Sequence, residues 1–75
     1  MKITLTGLSA DLFQVNEMET PSFSTVKEVK QELIRLKPEL AQRAMMVAVN
    51  NRLAGDLGEI NEGDQVLVFH PYAGG

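Results

Sequence analysis

Cysteine and tryptophan are missing from this sequence of 75 residues, and it has only one histidine. Without cysteine there is no disulfide and no thiolate metal site, and a lone histidine needs carboxylate partners that no local spacing suggests. We therefore expect no metal site. A chain of this length forms one small domain, which must be stabilised by packing alone.

Clustered basic residues and long apolar runs are also missing. The seven lysines and arginines are scattered and are outnumbered by ten acidic residues, which leaves a net charge of −3. Nucleic-acid binding requires clustered positive charge, so that function is disfavoured. The apolar residues near the N-terminus are too few for a signal peptide, and no run of about 18 apolar residues exists. We expect a cytoplasmic protein with neither nucleic acid nor membrane as partner.

Alternation of polar and apolar residues predicts the strands. Asn50 and Asn51 suit the positive φ angles of a tight hairpin turn, so the segments on either side of them are expected to pair. In the last strand Val66 and Val68 lie on one face and two further apolar residues on the other, which predicts a central strand or an exposed contact face. The predicted strands are residues 2–6, 14–19 (with Val15 and Met18 inward), 46–49, 52–54 and 65–69.

Helical spacing of apolar residues follows a capping signal. Thr25 with Glu28 three positions later fits a capping box, and the apolar residues Val26, Val29, Leu33 and Leu36 then recur on one face up to Lys37. Pro38 suits the first turn of a second short helix over residues 38–44. A helical turn is expected over residues 8–13. Residues 55–63 are predicted to be a loop in which Leu57 and Ile60 insert into the core.

The order of these elements predicts the fold class. Two hairpin-like pairs separated by one main helix can share one mixed sheet with the helix across one face. This arrangement is an α+β fold, the β-grasp or ubiquitin-like fold. We expect a β-grasp domain over residues 1–70 and a flexible C-terminal tail over residues 71–75 that ends in Gly-Gly.

Three segments in the last part of the chain carry a family resemblance. The segments are Ala48-Val49-Asn50-Asn51-Arg52-Leu53, Glu62-Gly63-Asp64-Gln65-Val66 and Phe69-His70-Pro71-Tyr72-Ala73-Gly74-Gly75. With them the chain resembles the small subunit of molybdopterin synthase, one of the ubiquitin-like sulfur carriers of molybdopterin and thiamine synthesis.

The resemblance implies that the working group is the C-terminal carboxylate of Gly75. An ATP-dependent, E1-like activating enzyme would adenylate it, and a sulfur donor protein would convert the adenylate to a thiocarboxylate. The sulfur would then pass to a pterin precursor on the large subunit of molybdopterin synthase, in the synthesis of the molybdenum cofactor. The chain would be a covalent cosubstrate without catalytic residues or a cofactor of its own.

The tail and its surroundings have separate expected roles. Pro71, Tyr72, Ala73 and Gly74 would insert into the partners' sites, since five residues past His70 reach about 16–18 Å when extended. Glycines at the end can pass a narrow channel because they have no Cβ. The resemblance further implies that Phe69 and Leu53 contact the large subunit, although a core role for one of them is equally compatible with the sequence.

Other interpretations of these residues stay open. A carrier for the thiamine thiazole or another sulfur-containing metabolite shares the Gly-Asp and Gly-Gly motifs, and Pro71 favours the pterin branch. A ubiquitin-like modifier, with Gly75 joined to lysines, would use the same adenylation, and an interaction module would not use the carboxylate at all. We interpret His70 as a strand-end residue rather than a general base. Met45 and Met46 are expected in the core.

Overall fold

The computed structural model describes residues 1–71 of the chain. No helix in this part is long and apolar enough to cross a membrane. The strands are β1 (Lys2–Leu5), β2 (Glu17–Glu19), β3 (Met46–Val49), β4 (Arg52–Ala54) and β5 (Val66–Phe69); the helices are α1 (Gly7–Phe13), α2 (Val26–Leu36) and a 3₁₀ helix (Pro38–Gln42).

The strands form one mixed sheet. Their order is β2-β1-β5-β3-β4, so β5, the last strand in the chain, lies at the centre. It pairs in parallel with β1 and antiparallel with β3, while β1–β2 and β3–β4 are antiparallel hairpin-like pairs. This is the predicted β-grasp fold, and the central position expected for the last strand is confirmed.

Helix α2 packs across one face of the sheet and forms most of the core with it. The predicted capping box is present, with the Thr25 hydroxyl accepting from the Glu28 N–H and the Glu28 carboxylate accepting from the Thr25 N–H. Burying each aliphatic side chain stabilises the fold by roughly 1.5–3 kcal/mol before entropy is counted. The buried cluster comprises Ile3, Leu5, Val26, Val29, Leu33, Leu40, Met45, Val47, Ile60, Val66 and Val68.

Two of the predicted core residues are exposed. Strand β2 begins at Glu17 rather than at residue 14, because Gln14 ends α1 in the left-handed region (φ 59°), and Val15 is 45% exposed. Leu57 is 86% exposed, whereas Ile60 is buried as predicted. Leu57 is directed outward because the carbonyls on either side of it, those of Asp56 and Gly58, accept from the first N–H groups of α2.

The second short helix is also shorter than predicted. It is a 3₁₀ helix that ends at Gln42, and it buries Leu40 in the core. Met45 lies in the core as expected, but Met46 does not, because it pairs with Phe69 on the opposite side of the sheet.

The asparagine turn and the Gly-Asp turn of the sequence motifs lie against each other. Asn50 adopts a positive φ of 52°; its side-chain oxygen accepts from the Gln65 N–H at 2.9 Å, and its amide donates to Asp64 Oδ1 at 3.0 Å. Asp64 also accepts from the Asn61 N–H, and this bond, followed by the one from Asn50, lowers the pKa of its carboxyl group. The contribution of these bonds to stability is therefore present at neutral pH and is lost as the pH falls through that lowered pKa.

These contacts predict that Asn50→Gly destabilises the fold by about 1–2 kcal/mol, because it removes hydrogen bonds that join two turns. Glycine keeps the positive φ accessible, so backbone strain does not contribute. Asn51→Gly is the matched control, since Asn51 has a similar φ of 67°. Urea unfolding of both variants measures the difference. Equal stability of the two would contradict a structural role for the Asn50 side chain.

Candidate functional site

One face of the sheet is left uncovered by the helices and is apolar at its centre. The pairing places Leu53 beside Ala48, Ala48 beside Leu67, and Phe69 beside Met46. Residues that pair directly across strands lie on the same face. We call these five residues, Met46, Ala48, Leu53, Leu67 and Phe69, the apolar patch.

The patch is accessible although its strands are central. Leu53 is 64% exposed, and Met46, Leu67 and Phe69 are half-buried, whereas Ala48 is covered by its neighbours. The predicted partner-facing residues Phe69 and Leu53 thus lie on one surface, and neither belongs to the core cluster. Contiguous exposed apolar surface is common at protein contact sites, so the patch is the candidate site on this face.

The same face becomes polar and acidic toward β1 and β2. Thr4 pairs with Leu67 on one side and with Glu17 on the other, and Lys2 pairs with Glu19. Lys2 and Glu17 form an exposed ion pair at 3.7 Å. A partner that covers the whole face therefore needs an apolar centre with polar or basic groups at one edge.

His70 follows β5 directly and contacts two other segments of the chain. Its Nε2 lies 2.6 Å from Ser9 Oγ and 3.2 Å from the Ser9 backbone nitrogen, both in α1. Its Nδ1 lies 2.8 Å from the carbonyl oxygen of Ala44, just before β3. Strand alternation explains the placement, because His70 points to the side of Val68, opposite Phe69.

The Ser9–His70 pair has the composition of a nucleophile and its base but not the accessibility. Ser9 is fully buried, with 0% of its surface exposed, so a substrate cannot reach its hydroxyl without opening the fold. Within residues 1–71, no group of three or more histidine, aspartate or glutamate residues is arranged to hold a metal ion. Glu62 and Asp64, which resemble a metal pair in the sequence, belong to the turn that Asn50 contacts.

Most of the predicted tail lies outside the described residues. Tyr72, Ala73, Gly74 and Gly75 are not described, so their predicted roles stay predictions. Pro71 is exposed in a turn beyond β5. The sequence placed Leu67 on the same face as Phe69 but assigned no partner contact to it, to Ala48 or to Met46. All four residues of β3 are apolar, so no alternation of polar and apolar residues marked the exposed side of that strand.

The comparisons with known proteins cover nearly the whole chain. The ThiS family matches residues 3–75. None of the curated protein sequences is similar enough to count as a match. A solved structure described as molybdopterin converting factor subunit 1 from Pyrococcus furiosus is 23% identical, with a TM-score of 0.75, over 93% of this chain and 94% of that one.

Two structures of small archaeal modifier protein 1 from Haloferax volcanii are also similar. One is 20% identical with a TM-score of 0.71 and covers 100% of this chain and 98% of its own. The other is 18% identical with a TM-score of 0.72 and covers 95% of each chain. At these identities the structures show that the fold is shared.

Proposed function

We propose, since this chain belongs to the ThiS family, that it is a sulfur carrier whose Gly75 carboxylate is adenylated and then converted to a thiocarboxylate. The observation that carries the proposal is the extent of the family match, which runs through Gly74 to Gly75 at the end of the chain. The domain is residues 1–70 and the tail is residues 71–75. The chain acts as a covalent cosubstrate, and the catalytic groups belong to its partners.

The chemistry explains why such a carrier needs adenylation. A carboxylate is a poor electrophile, whereas its acyl adenylate has a good leaving group, AMP, that a persulfide sulfur of a donor protein can displace. Reductive cleavage of the resulting acyl disulfide by a thiol releases the thiocarboxylate. The product is a soft nucleophile that can attack an electrophilic carbon of the acceptor.

We further propose that the acceptor is a pterin and that the chain is the small subunit of molybdopterin synthase. The resemblance of the tail, with Pro71 after His70, and the fold shared with the Pyrococcus furiosus protein support this choice. In the proposed complex the apolar patch, with Phe69 and Leu53, contacts the large subunit, and Tyr72 to Gly75 enter its active site. The cytoplasm is the expected location, because ATP and the activating enzyme are available there.

The test is intact mass after incubation with ATP, the cognate adenylating enzyme and a sulfide source. We expect an ATP-dependent increase equal to the mass difference between sulfur and oxygen, which tandem mass spectrometry should place on Gly75. Addition of the large subunit with its pterin precursor should return the mass to its original value. An unchanged mass in the presence of an active enzyme would rule out the carrier function.

A second candidate is a protein modifier, which the fold shared with small archaeal modifier protein 1 favours. In that function the activated Gly75 carbonyl is attacked by a lysine amine and forms an amide bond. The same incubation with a lysate of the source cells distinguishes the two functions. A modifier gives higher-mass conjugates with a Gly75–lysine linkage, whereas a pure carrier gives the thiocarboxylate alone.

A further inference from the structure

His70 joins the end of β5 to the first turn of α1 and to Ala44, which lies two residues before β3. The Ala44 carbonyl oxygen can only accept, so the ring proton lies on Nδ1 and is donated to it. The Nε2 atom is then unprotonated and accepts from the Ser9 hydroxyl and the Ser9 N–H. We propose that His70, held by Ser9 and Ala44, is a positioning residue that fixes the direction in which the chain leaves β5. We call this arrangement the His70 clamp.

The clamp replaces the missing side-chain cap of α1. The N-cap residue Thr6 makes no side-chain hydrogen bond to the helix, because its hydroxyl donates instead to the Val68 carbonyl of β5 at 2.9 Å. The first N–H groups of a helix have no acceptor within it, so they need one from elsewhere. His70 Nε2 supplies that acceptor to Ser9. The start of α1 and the end of β5 therefore satisfy each other's polar groups.

Only one form of the imidazole satisfies all three contacts. The Ser9 N–H is a fixed donor, so a proton on Nε2 would place two N–H groups against each other. A ring flip would turn a carbon atom toward the Ala44 carbonyl oxygen. Because Ser9 is completely buried, water cannot replace His70 as the hydrogen-bond partner of the Ser9 hydroxyl unless the fold opens locally. The ring is thus held at both nitrogen atoms in one tautomer and one orientation.

The consequence for the tail follows from the next residue. Pro71 has φ fixed near −65° by its ring and also restricts the backbone of His70 before it. With the His70 side chain held and this backbone pair restricted, the direction of the chain at residues 70–71 is set before a partner binds. Such preorganisation lowers the entropy lost when the tail enters an active site. This inference rests on the proposed function only for its effect on adenylation.

The test is a double-mutant cycle of Ser9→Ala and His70→Ala, measured as ATP–pyrophosphate exchange by the cognate adenylating enzyme. His70→Ala, which releases about one residue of backbone, should raise the KM for the carrier about tenfold with kcat nearly unchanged. Ser9→Ala, which removes only the hydroxyl contact, should raise it less. The double variant should be no worse than His70→Ala. Ser9 is buried and cannot touch the enzyme, so its effect is indirect, and the cycle shows whether that effect passes through His70. Native KM values in the single variants, or additive effects, would overturn the proposal.

Two further measurements separate the clamp from a general effect on folding and from the proposed function. His70→Gln, which can still accept from Ser9, should recover most of the native KM. Ring ¹⁵N spectra of the free native protein should show a protonated Nδ1 and an unprotonated Nε2, and Ser9→Ala should keep this tautomer, because it retains the backbone N–H of residue 9 and the Ala44 carbonyl. A mixed tautomer in the native protein would rule out the clamp. If native protein shows the tautomer and is never adenylated, the clamp stands and the carrier function fails.

Discussion

Deletion of Gly75 is expected to leave the fold and partner binding nearly unchanged while it abolishes sulfur transfer. The core cluster lies between Ile3 and Val68, and the apolar patch ends at Phe69, so the deletion removes no residue of either. It moves the carboxylate back by roughly 3.3–3.6 Å, about the length of a near-attack contact. A misplacement of about 1 Å can already cost a hundredfold in rate, so a loss of at least that size is expected.

Thermal midpoint, affinity for the large subunit and sulfuration of the pterin precursor should be measured in parallel. Deletion of Ala73 is the matched control, because it shortens the tail equally but keeps Gly74-Gly75 at the end. If the length of the tail determines the rate of sulfuration, both deletions should lower that rate. If the terminal Gly-Gly dipeptide determines it, only the deletion of Gly75 should do so. Sulfuration at the native rate by the chain that lacks Gly75 would mean that Gly75 is not the reactive terminus.

The sequence was sufficient for the parts of the fold that local patterns determine. The capping box at Thr25 and Glu28 and the apolar face that follows it located α2 within one residue. The apolar residues on both faces of the last strand indicated a central strand or an exposed contact face, and β5 has both features. These signals are local, and packing then favours the same structure that they predict.

The wrong predictions of burial arise where tertiary hydrogen bonds fix the backbone in a way that leaves an apolar side chain exposed. Leu57 lies in a loop whose carbonyls cap α2, and Lys30 adds a contact to Asp56 at 2.8 Å. These hydrogen bonds hold the loop backbone in a conformation that directs the Leu57 side chain into solvent. Val15 is exposed because α1 extends to Phe13, and the chain uses the following residues to turn toward β2.

The candidate site also has a part that the sequence could predict and a part that it could not. The alternation along β5 placed Phe69 opposite Val66 and Val68, but the sequence left open whether Phe69 belongs to the core. The pairing of β5 with β3 places Met46 and Ala48 on the same face as Phe69. The contact between His70 and Ser9 joins residues that are 61 positions apart, and it depends on the parallel pairing of β1 with β5. No local spacing indicates such a contact. Ser9 lies in the helical turn predicted over residues 8–13, and none of its neighbours in the sequence indicates a contact with His70.

The uncovered face of the sheet leads to the last prediction, which compares two leucines with opposite surroundings. Leu53 belongs to the apolar patch, whereas Leu57 lies in the loop beside α2, and both are largely exposed at 64% and 86%. Leu53→Asp should weaken binding to the large subunit by about 2 kcal/mol, the size typical of an interface anchor, which is about thirtyfold in Kd. Leu57→Asp should leave the Kd within about twofold, since scattered exposed leucines need have no partner.

The two variants share the same change in size and charge, so net charge and solubility effects cancel in the comparison. Neither removes a buried side chain, and both should unfold near the native midpoint. Isothermal titration of each variant with the large subunit measures the difference. A larger loss of affinity in Leu57→Asp than in Leu53→Asp would indicate that the large subunit binds near the start of α2 and not on the sheet. Because the tail starts at the end of β5, beside the patch, such a result would also separate the docking surface from the residues that lead to Gly75.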